Sequence, residues 1–362
     1  MAKTKIMYVV ANYPQLSETY IKNEIEALLK LGNYQIQVVC LNGPKNDLNP
    51  NGELVFYKNY QPFKVAKSFD DFLASIKEFS PDFLHSHWLQ VTPLVYKLAK
   101  KTNTPFTMRS HSFDVLSRGG RINFKSYFKN WLKNLPQFQG FHPKHVAKFI
   151  NSDLCKGVLG YPFAKDILIN AGIKPEKITT TFPVVAVEQF MDKSPNGKSI
   201  MNVGACIPKK KMEDFIDLAA LNKDKEFNLY AIGYKTNEII EYNQNHGNLV
   251  NIVDTVEPEA MPAEYKKHQW LVYTASTIIS TVGWPLAIAE AQASGVGVCI
   301  QNIRPDLKEY VGEAGYLFNT IEEVSKIIQH DVPNEMRELG FEQAKKSDIN
   351  AHIHKLTDLW VK

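Results

Sequence analysis

The residues with the clearest chemical potential lie in three clusters. In the first, Lys209, Lys210 and Lys211 follow the apolar run Ser199–Gly204 and precede a helix-favouring stretch. Phosphoryl charge needs fixed cations and N–H donors around it, and a lysine-bearing turn between strand and helix supplies them. The same run also suits a solvated loop. In the second cluster, Gly283, Trp284, Pro285 and Leu286 lead into an alanine-rich segment that Gly295 stops. The start of such a helix exposes unpaired N–H groups and a partial positive charge, a seat for phosphate. Glu290, about two turns into that helix, could accept two hydroxyl hydrogen bonds, as from a ribose. An ordinary αβ unit with a solvated glutamate fits these residues too. The third cluster is His111, at the end of a strand-like run from Pro105 to Asp114, with Arg109 close by. The C-terminal edge of such strands is where open α/β sheets bind ligands. His85 and His87 have the spacing of metal ligands on one strand face, but no nearby carboxylate pattern completes a site.

These clusters need a scaffold, and the apolar patterning predicts one. Lys5–Ala11 reads as a buried parallel strand leading into the loop Asn12–Thr19, where Ser17 or Thr19 could cap a helix carrying Ile21, Ile25, Leu28 and Leu29. That helix should stop at Gly32, before a strand over Tyr34–Leu41, which makes a right-handed βαβ opening. A strand over Asp82–His87, a helix over Thr92–Lys101 and the strand Pro105–Asp114 continue the series. Pro183, Pro195, Asn196 and Gly197 mark a boundary. A second alternation of strands and helices follows from Ser199, ending in a helix around Phe341–Val361. The reading is therefore an α/β protein of two Rossmann-like, doubly wound domains facing across a cleft.

Composition agrees with this size and class. At 362 residues the chain exceeds what one core usually supports. Hydrophobic residues make up 44% of it and charged residues 22%, the balance of a globular protein. No run approaches the ~20 apolar residues of a transmembrane helix. Met1–Lys5 leads straight into a strand, so a cytoplasmic location is expected. Cys40, Cys155, Cys206 and Cys299 are scattered and read as reduced core residues. The net charge of +4 hides an asymmetry: 24 Lys and Arg stand against 14 Asp and Glu through residue 190, and 18 against 24 beyond it. A basic first half suits an anionic acceptor or membrane surface, and such an imbalance also arises from solubility alone.

The run Glu290-Ala-x-Ala-x-Gly-Val-x-Val, preceded by the loop Gly283-Trp-Pro285, resembles the donor-binding signature of family 4 glycosyltransferases. Val203–Lys211 is similar to that family's Gly-Arg-x-x-x-x-Lys loop, and Asn12-Tyr-Pro-x-x-Ser-Glu-Thr-Tyr-Ile to the opening loop of members that make cell-surface polysaccharides. The resemblance covers most of the chain. It implies the GT-B fold, with residues 1–185 as an acceptor-binding domain, 186–340 as a nucleotide-sugar-binding domain and 341–362 as a helix crossing back. It also implies that Glu290 binds the ribose and Lys210 the pyrophosphate, with Gly204 and Lys209 beside them. Gly283, Trp284, Pro285 and Leu286 would hold sugar and phosphate through backbone N–H groups. Thr255 and Val256 would border the base, and His111 would lie beside the reacting sugar. Ser17, Glu18 and Arg109 become acceptor or cleft residues, with a plain helix cap as the other role for Ser17. Two positions depart from the family pattern: its arginine is Ala205 here, and its first glutamate is Val282.

Residues 117–148 alternate cations (Arg118, Arg121, Lys125, Lys129, Lys133, Lys144, Lys148) with aromatic and apolar residues at helical spacing. Related bacterial glycosyltransferases use such a helix to meet lipid-linked acceptors at a membrane, and an ordinary surface helix has the same pattern. Nucleic acid is disfavoured, since no binding motif accompanies the cations. The resulting expectation is a retaining glycosyltransferase that moves a sugar from a nucleotide-diphosphate sugar to a saccharide or lipid-linked acceptor in surface polysaccharide synthesis. No cofactor and no obligatory metal are expected, because no Asp-x-Asp motif is present. A catalytically silent nucleotide- or partner-binding module, or a sugar-nucleotide epimerase on the same scaffold, are the alternatives.

Overall fold

A computed structural model describes residues 3–44, 60–116, 142–233, 235–279 and 281–361. Most of the proposed cationic helix, residues 117–141, lies outside that set. Lys144 and Lys148 are described, on the short helix Lys144–Ile150, whose Val146, Ala147 and Ile150 are buried in the first core.

Two parallel sheets form the framework. The first runs β3-β2-β1-β4-β5-β6-β7, from β1 (Thr4–Asn12), β2 (Tyr34–Asn42), β3 (Phe63–Val65), β4 (Phe83–His87), β5 (Phe106–Arg109), β6 (Cys155–Gly160) and β7 (Ile178–Thr180). The second runs β10-β9-β8-β11-β12-β13, from β8 (Ser199–Ala205), β9 (Phe227–Ile232), β10 (Asn251–Val253), β11 (His268–Tyr273), β12 (Gly297–Gln301) and β13 (Tyr316–Phe318). Strands covered on both faces need unbroken apolar runs, and Ile6–Val10 of β1 and all of β11 are buried. Strand order reverses between β1 and β4 in one sheet and between β8 and β11 in the other. At each reversal the chain leaves adjacent strands in opposite directions and opens a crevice at their C-terminal edge.

Three expectations are corrected. The strand predicted over Pro105–Asp114 ends at Arg109, because the buried Asp114 carboxylate accepts the N–H groups of His111 and Leu89, both at 2.8 Å, and turns the chain into a short helix, Phe113–Leu116. Neither Ser17 nor Thr19 caps the helix Thr19–Lys30. A 3-10 turn, Leu16–Glu18, precedes it, and the Ser17 hydroxyl instead accepts from Gln15 Nε2 at 2.9 Å. The single helix predicted over Phe341–Val361 is interrupted into Asn334–Ala344, Ile349–His352 and His354–Val361. Val185 causes one break: its N–H donates to the Ser347 carbonyl and its own carbonyl accepts from Ile349 N, and between them Asp348 takes an extended backbone with ψ 111°. The last helix then packs on the first sheet, where Leu359 lies against Gly157 and the Trp360 Nε1 group donates to Thr107 Oγ1.

Candidate functional site

The two strand reversals face each other, and a cavity of about 320 Å³ lies between them, lined by Ser17, Glu18, His111, Lys209, Lys210 and Glu290 among others. A second pocket adjoins it and shares Gly204, Ile232 and Glu290 with it, extending past Thr255 and Val256 toward Lys22 and Glu259. Lys22, buried on the helix Thr19–Lys30, reaches across to Glu259 at 2.9 Å.

On the second sheet's edge, β8 turns at Gly204, where a φ of +137° favours glycine. A Cβ at this position would stand 2.0 Å from Lys210 Nζ. Lys210 therefore lies directly over the backbone of Gly204, its ammonium 5.3 Å from the Tyr273 ring centroid and without a hydrogen-bond partner among the described residues. Among the described residues, Lys209 makes a 3.5 Å contact with the Thr281 carbonyl and its ammonium lies 5.9 Å from the Phe113 ring centroid. Burial, helped in Lys209 by the neighbouring Lys210 charge, brings both amines down to about 8. Lys211 points outward to Asp214. Of the three lysines, two face the cavity and one belongs to the surface.

The loop before the helix Leu286–Ala293 is held from behind. Trp284 is buried in an aromatic group, stacked on Tyr310 with ring centroids 4.9 Å apart, and its Nε1–H donates to Asp306 at 2.8 Å. Arg304 donates to the Val282 carbonyl and pairs with Asp306, while the Tyr310 hydroxyl donates to the Pro285 carbonyl at 2.6 Å. The Trp284 ring is thus an anchor, and the loop's backbone is what it positions. Among the described residues no side chain caps the helix that follows, and Leu286 and Ala287 line the cavity at its first turn. Glu290, one turn further, accepts from the Tyr265 hydroxyl at 2.8 Å through one oxygen. The other has no hydrogen bond among the described residues. Burial pushes this carboxyl up to about 7, opposed by Tyr265 and Lys210. Gly283 presses against the first lobe, since an added Cβ would lie 2.2 Å from that of Ser112. Val282 is buried and Ala205 half-buried; both line the cavity with apolar side chains that carry no charge.

The first sheet's edge is organised differently. His111 is buried between Tyr20 and Trp88, with ring centroids 4.2 and 4.5 Å away, and its Nε2 lies 3.1 Å from His87 Nδ1. Burial, with the neighbouring His87 and Arg109, holds its pKa well below the usual histidine range. Arg109 does not line the cavity. It is buried behind His111 and donates through Nε at 2.7 Å, and through a second nitrogen, to the carboxylate of Glu24. Glu24 comes from the helix Thr19–Lys30 and also stands within 3.1 Å of His85 and His87. The carboxylate that spacing alone does not place beside these histidines is therefore present. It was detectable, because Glu24 lies three residues after Ile21 and four before Leu28, on the apolar face of its helix. Arg304, Asp306, Tyr310 and Tyr265 were also missed, and they act through contacts that chain spacing does not reveal.

Residues 197–330, within the second lobe, match the family model "Glycosyl transferases group 1". A search of curated protein sequences finds no match. Among solved structures the chain is similar to the sucrose-phosphate synthase of Thermosynechococcus elongatus, with TM-score 0.70, 13% identity and coverage of 99% of this chain and 98% of that one. It is also similar to Anabaena HepE in complex with UDP and glucose, at TM-score 0.68, 13% identity and 98% of each chain. S. aureus TarM in complex with Fondaparinux, alpha-GlcNAc-glycerol and UDP gives TM-score 0.68 at 11% identity over 99% of this chain and all of that one. Likeness at this level of identity is a likeness of fold: the chain has the GT-B architecture.

Proposed function

We propose that the protein is a retaining glycosyltransferase that binds a nucleotide-diphosphate sugar between its lobes and passes the sugar to a saccharide or lipid-linked acceptor in surface polysaccharide synthesis. One observation carries the reading: two cationic side chains with little protein bonding, an uncapped helix N-terminus and a half-satisfied, half-buried carboxylate converge on one cavity. Lys209 and Lys210 would hold the diphosphate and gain in effect as charge builds on the departing phosphate. Lys209 stands in for the arginine that Ala205 replaces, as a point charge rather than a fork. Glu290 would take the ribose hydroxyls, and Thr255 and Val256 would border the base in the adjoining pocket. The group 1 family model on the second lobe and the UDP-bound relatives HepE and TarM support this assignment.

The sugar would then lie between the Gly283–Leu286 backbone and His111, with Ser17 and Glu18 at the acceptor side. The cavity's carboxylates among the described residues are Glu18 and Glu290. With Glu290 bound to the ribose, the acceptor proton passes to the departing phosphate on the same face. Fixed positioning and electrostatics then supply the rate enhancement without a metal. No described helix is long and apolar enough to cross a membrane. A lipid-linked acceptor would be met at the membrane surface by the cationic segment 117–148.

The test is a panel of UDP-, GDP-, ADP- and CMP-sugars with oligosaccharide and lipid-linked acceptors, with EDTA present and absent. The proposal expects one donor to release its nucleotide only when acceptor is added, with the anomeric configuration kept and EDTA without effect. The buried apolar Val282 motivates a second reading, a nucleotide-binding module without turnover. Nucleotide binding with no release across the whole panel would select it.

A further inference from the structure

The geometry points to a buried relay, Glu24 to His87 to His111, that fixes which nitrogen of His111 carries the proton and so presents a hydrogen-bond acceptor to a sugar hydroxyl in the cavity. The inference rests on the reading of His111 as a residue beside the donor sugar.

The relay follows from counting donors. Glu24 is fully buried. Burial opposes its ionisation, but Arg109, His85 and His87 outweigh that and hold its carboxyl well below the usual range. An ionised carboxylate only accepts. The Tyr8 hydroxyl at 2.9 Å and His87 Nε2 at 3.1 Å must therefore donate to Glu24 Oε1, as Arg109 donates to Oε2. Burial brings the His87 ring down to about 4, against the pull of Glu24, so at neutral pH it carries one proton. That proton is on Nε2, and His87 Nδ1 is an acceptor. Among the described residues, the polar group placed to donate to it is His111 Nε2, 3.1 Å away. The proton of His111 is then on Nε2, and its Nδ1 is the ring's acceptor.

The opposite assignment fails on charge. A protonated His111 Nδ1 would require His87 to donate through Nδ1 and turn a bare Nε2 lone pair onto the Glu24 carboxylate. His85 neighbours the same carboxylate. Trp360 Nε1 donates to Thr107 Oγ1 at 3.1 Å, and the Thr107 hydroxyl lies 2.7 Å from His85 Nδ1. His85 Nε2 stands 3.0 Å from Glu24 Oε1 but out of hydrogen-bonding alignment with it. Glu24, His85 and His87 also lie close enough together to ligate a metal. The Arg109 guanidinium already supplies a positive charge to that carboxylate.

Glu24 and His87 are thus positioning residues that act on the sugar through His111. A neutral, buried acceptor of fixed tautomer costs no reorganisation when a hydroxyl docks against it. The same acceptor would discriminate against donors whose sugar lacks that hydroxyl, because a buried lone pair left unmatched is unfavourable.

The test is the long-range 1H–15N spectrum of histidine-labelled protein, which reads each tautomer without substrate. His87 and His111 should both appear as Nε2–H tautomers in the wild type. In His87→Phe, which keeps a ring against Tyr20 but removes the acceptor, His111 should become a mixture. His87→Asn, whose side-chain oxygen falls near the lost Nδ1, should restore the single form. With the donor found by the panel, His87→Phe should lower kcat by up to about tenfold, the worth of one hydrogen bond, and leave nucleoside diphosphate affinity unchanged. A wild-type His111 protonated on Nδ1, or a His87→Phe spectrum with His111 unaltered, overturns the relay. Unchanged activity in His111→Ala would instead sink the sugar-site reading while the tautomer result stood.

Discussion

The two sheet edges that face the cavity treat charge in opposite ways. On the first, Glu24 is enclosed by Arg109, Tyr8, His85 and His87, so its charge is answered within the protein before any ligand arrives, while Arg109 Nη1 and His85 Nε2 are buried without a hydrogen bond among the described residues. On the second, Lys210 has no hydrogen-bond partner among the described residues, Lys209 has one long contact, and Glu290 uses one of its oxygens. These three side chains are half-buried, and a partly desolvated charge without a partner is costly, so a protein keeps one where a ligand will match it. The difference assigns roles: the matched edge holds geometry, and the unmatched edge binds.

The comparison can be broken most forcefully at Glu24. Glu24→Ala leaves Arg109 buried and uncompensated and should destabilise the protein by about 3–5 kcal/mol in chemical denaturation. A loss below about 1 kcal/mol would mean that the first edge is not a matched network. Next in size is a pH effect on the second edge. A bound diphosphate needs Lys209 and Lys210 charged, and both amines titrate near 8 in the free protein. Nucleotide affinity should therefore fall as pH rises through 8, by up to about tenfold per unit for each lysine. Flat affinity across that range in calorimetry would separate the lysines from the ligand.

Gly204→Ala probes the same edge through the backbone. Its Cβ would displace the Lys210 ammonium at a φ of +137°. Nucleotide binding should then weaken by about tenfold while far-UV circular dichroism stays the same. The smallest effect is expected behind the loop. Tyr310→Phe removes the hydrogen bond to the Pro285 carbonyl. That loss should cost about 1 kcal/mol of stability, the net worth of one such bond, with a rise in donor KM as the loop loosens.

Much of the scaffold was legible in the chain. β9, Phe227–Ile232, is readable in the sequence as an apolar run broken only by Asn228 and closed by Gly233, as a buried parallel strand requires. The helix before Gly295 was equally plain from its alanines and its stop. The stretch 63–79 carries a signal that apolar spacing does not register: Ser68 and Asp71 form a reciprocal capping box at the start of the helix Phe69–Phe79. In the site, Lys210 and Glu290 stood out because a strand, a turn and a helix position them locally. Arg109 was legible as a residue near His111, but its direction was not, because it depends on Glu24, 85 residues away in sequence. The anchoring of the Gly283–Leu286 loop was invisible for the same reason: Arg304, Asp306 and Tyr310 meet it only through the packing of the second lobe.

The most direct test of the binding role of the second edge is calorimetric titration of UDP, GDP, ADP and CMP into the wild type, Lys210→Ala and Glu290→Ala. The account predicts that one nucleotide binds selectively and that each substitution removes about 1.5–3 kcal/mol of its binding free energy, roughly 10- to 150-fold, while leaving the melting temperature of the free protein the same or higher. Equal affinity in all three proteins would contradict it.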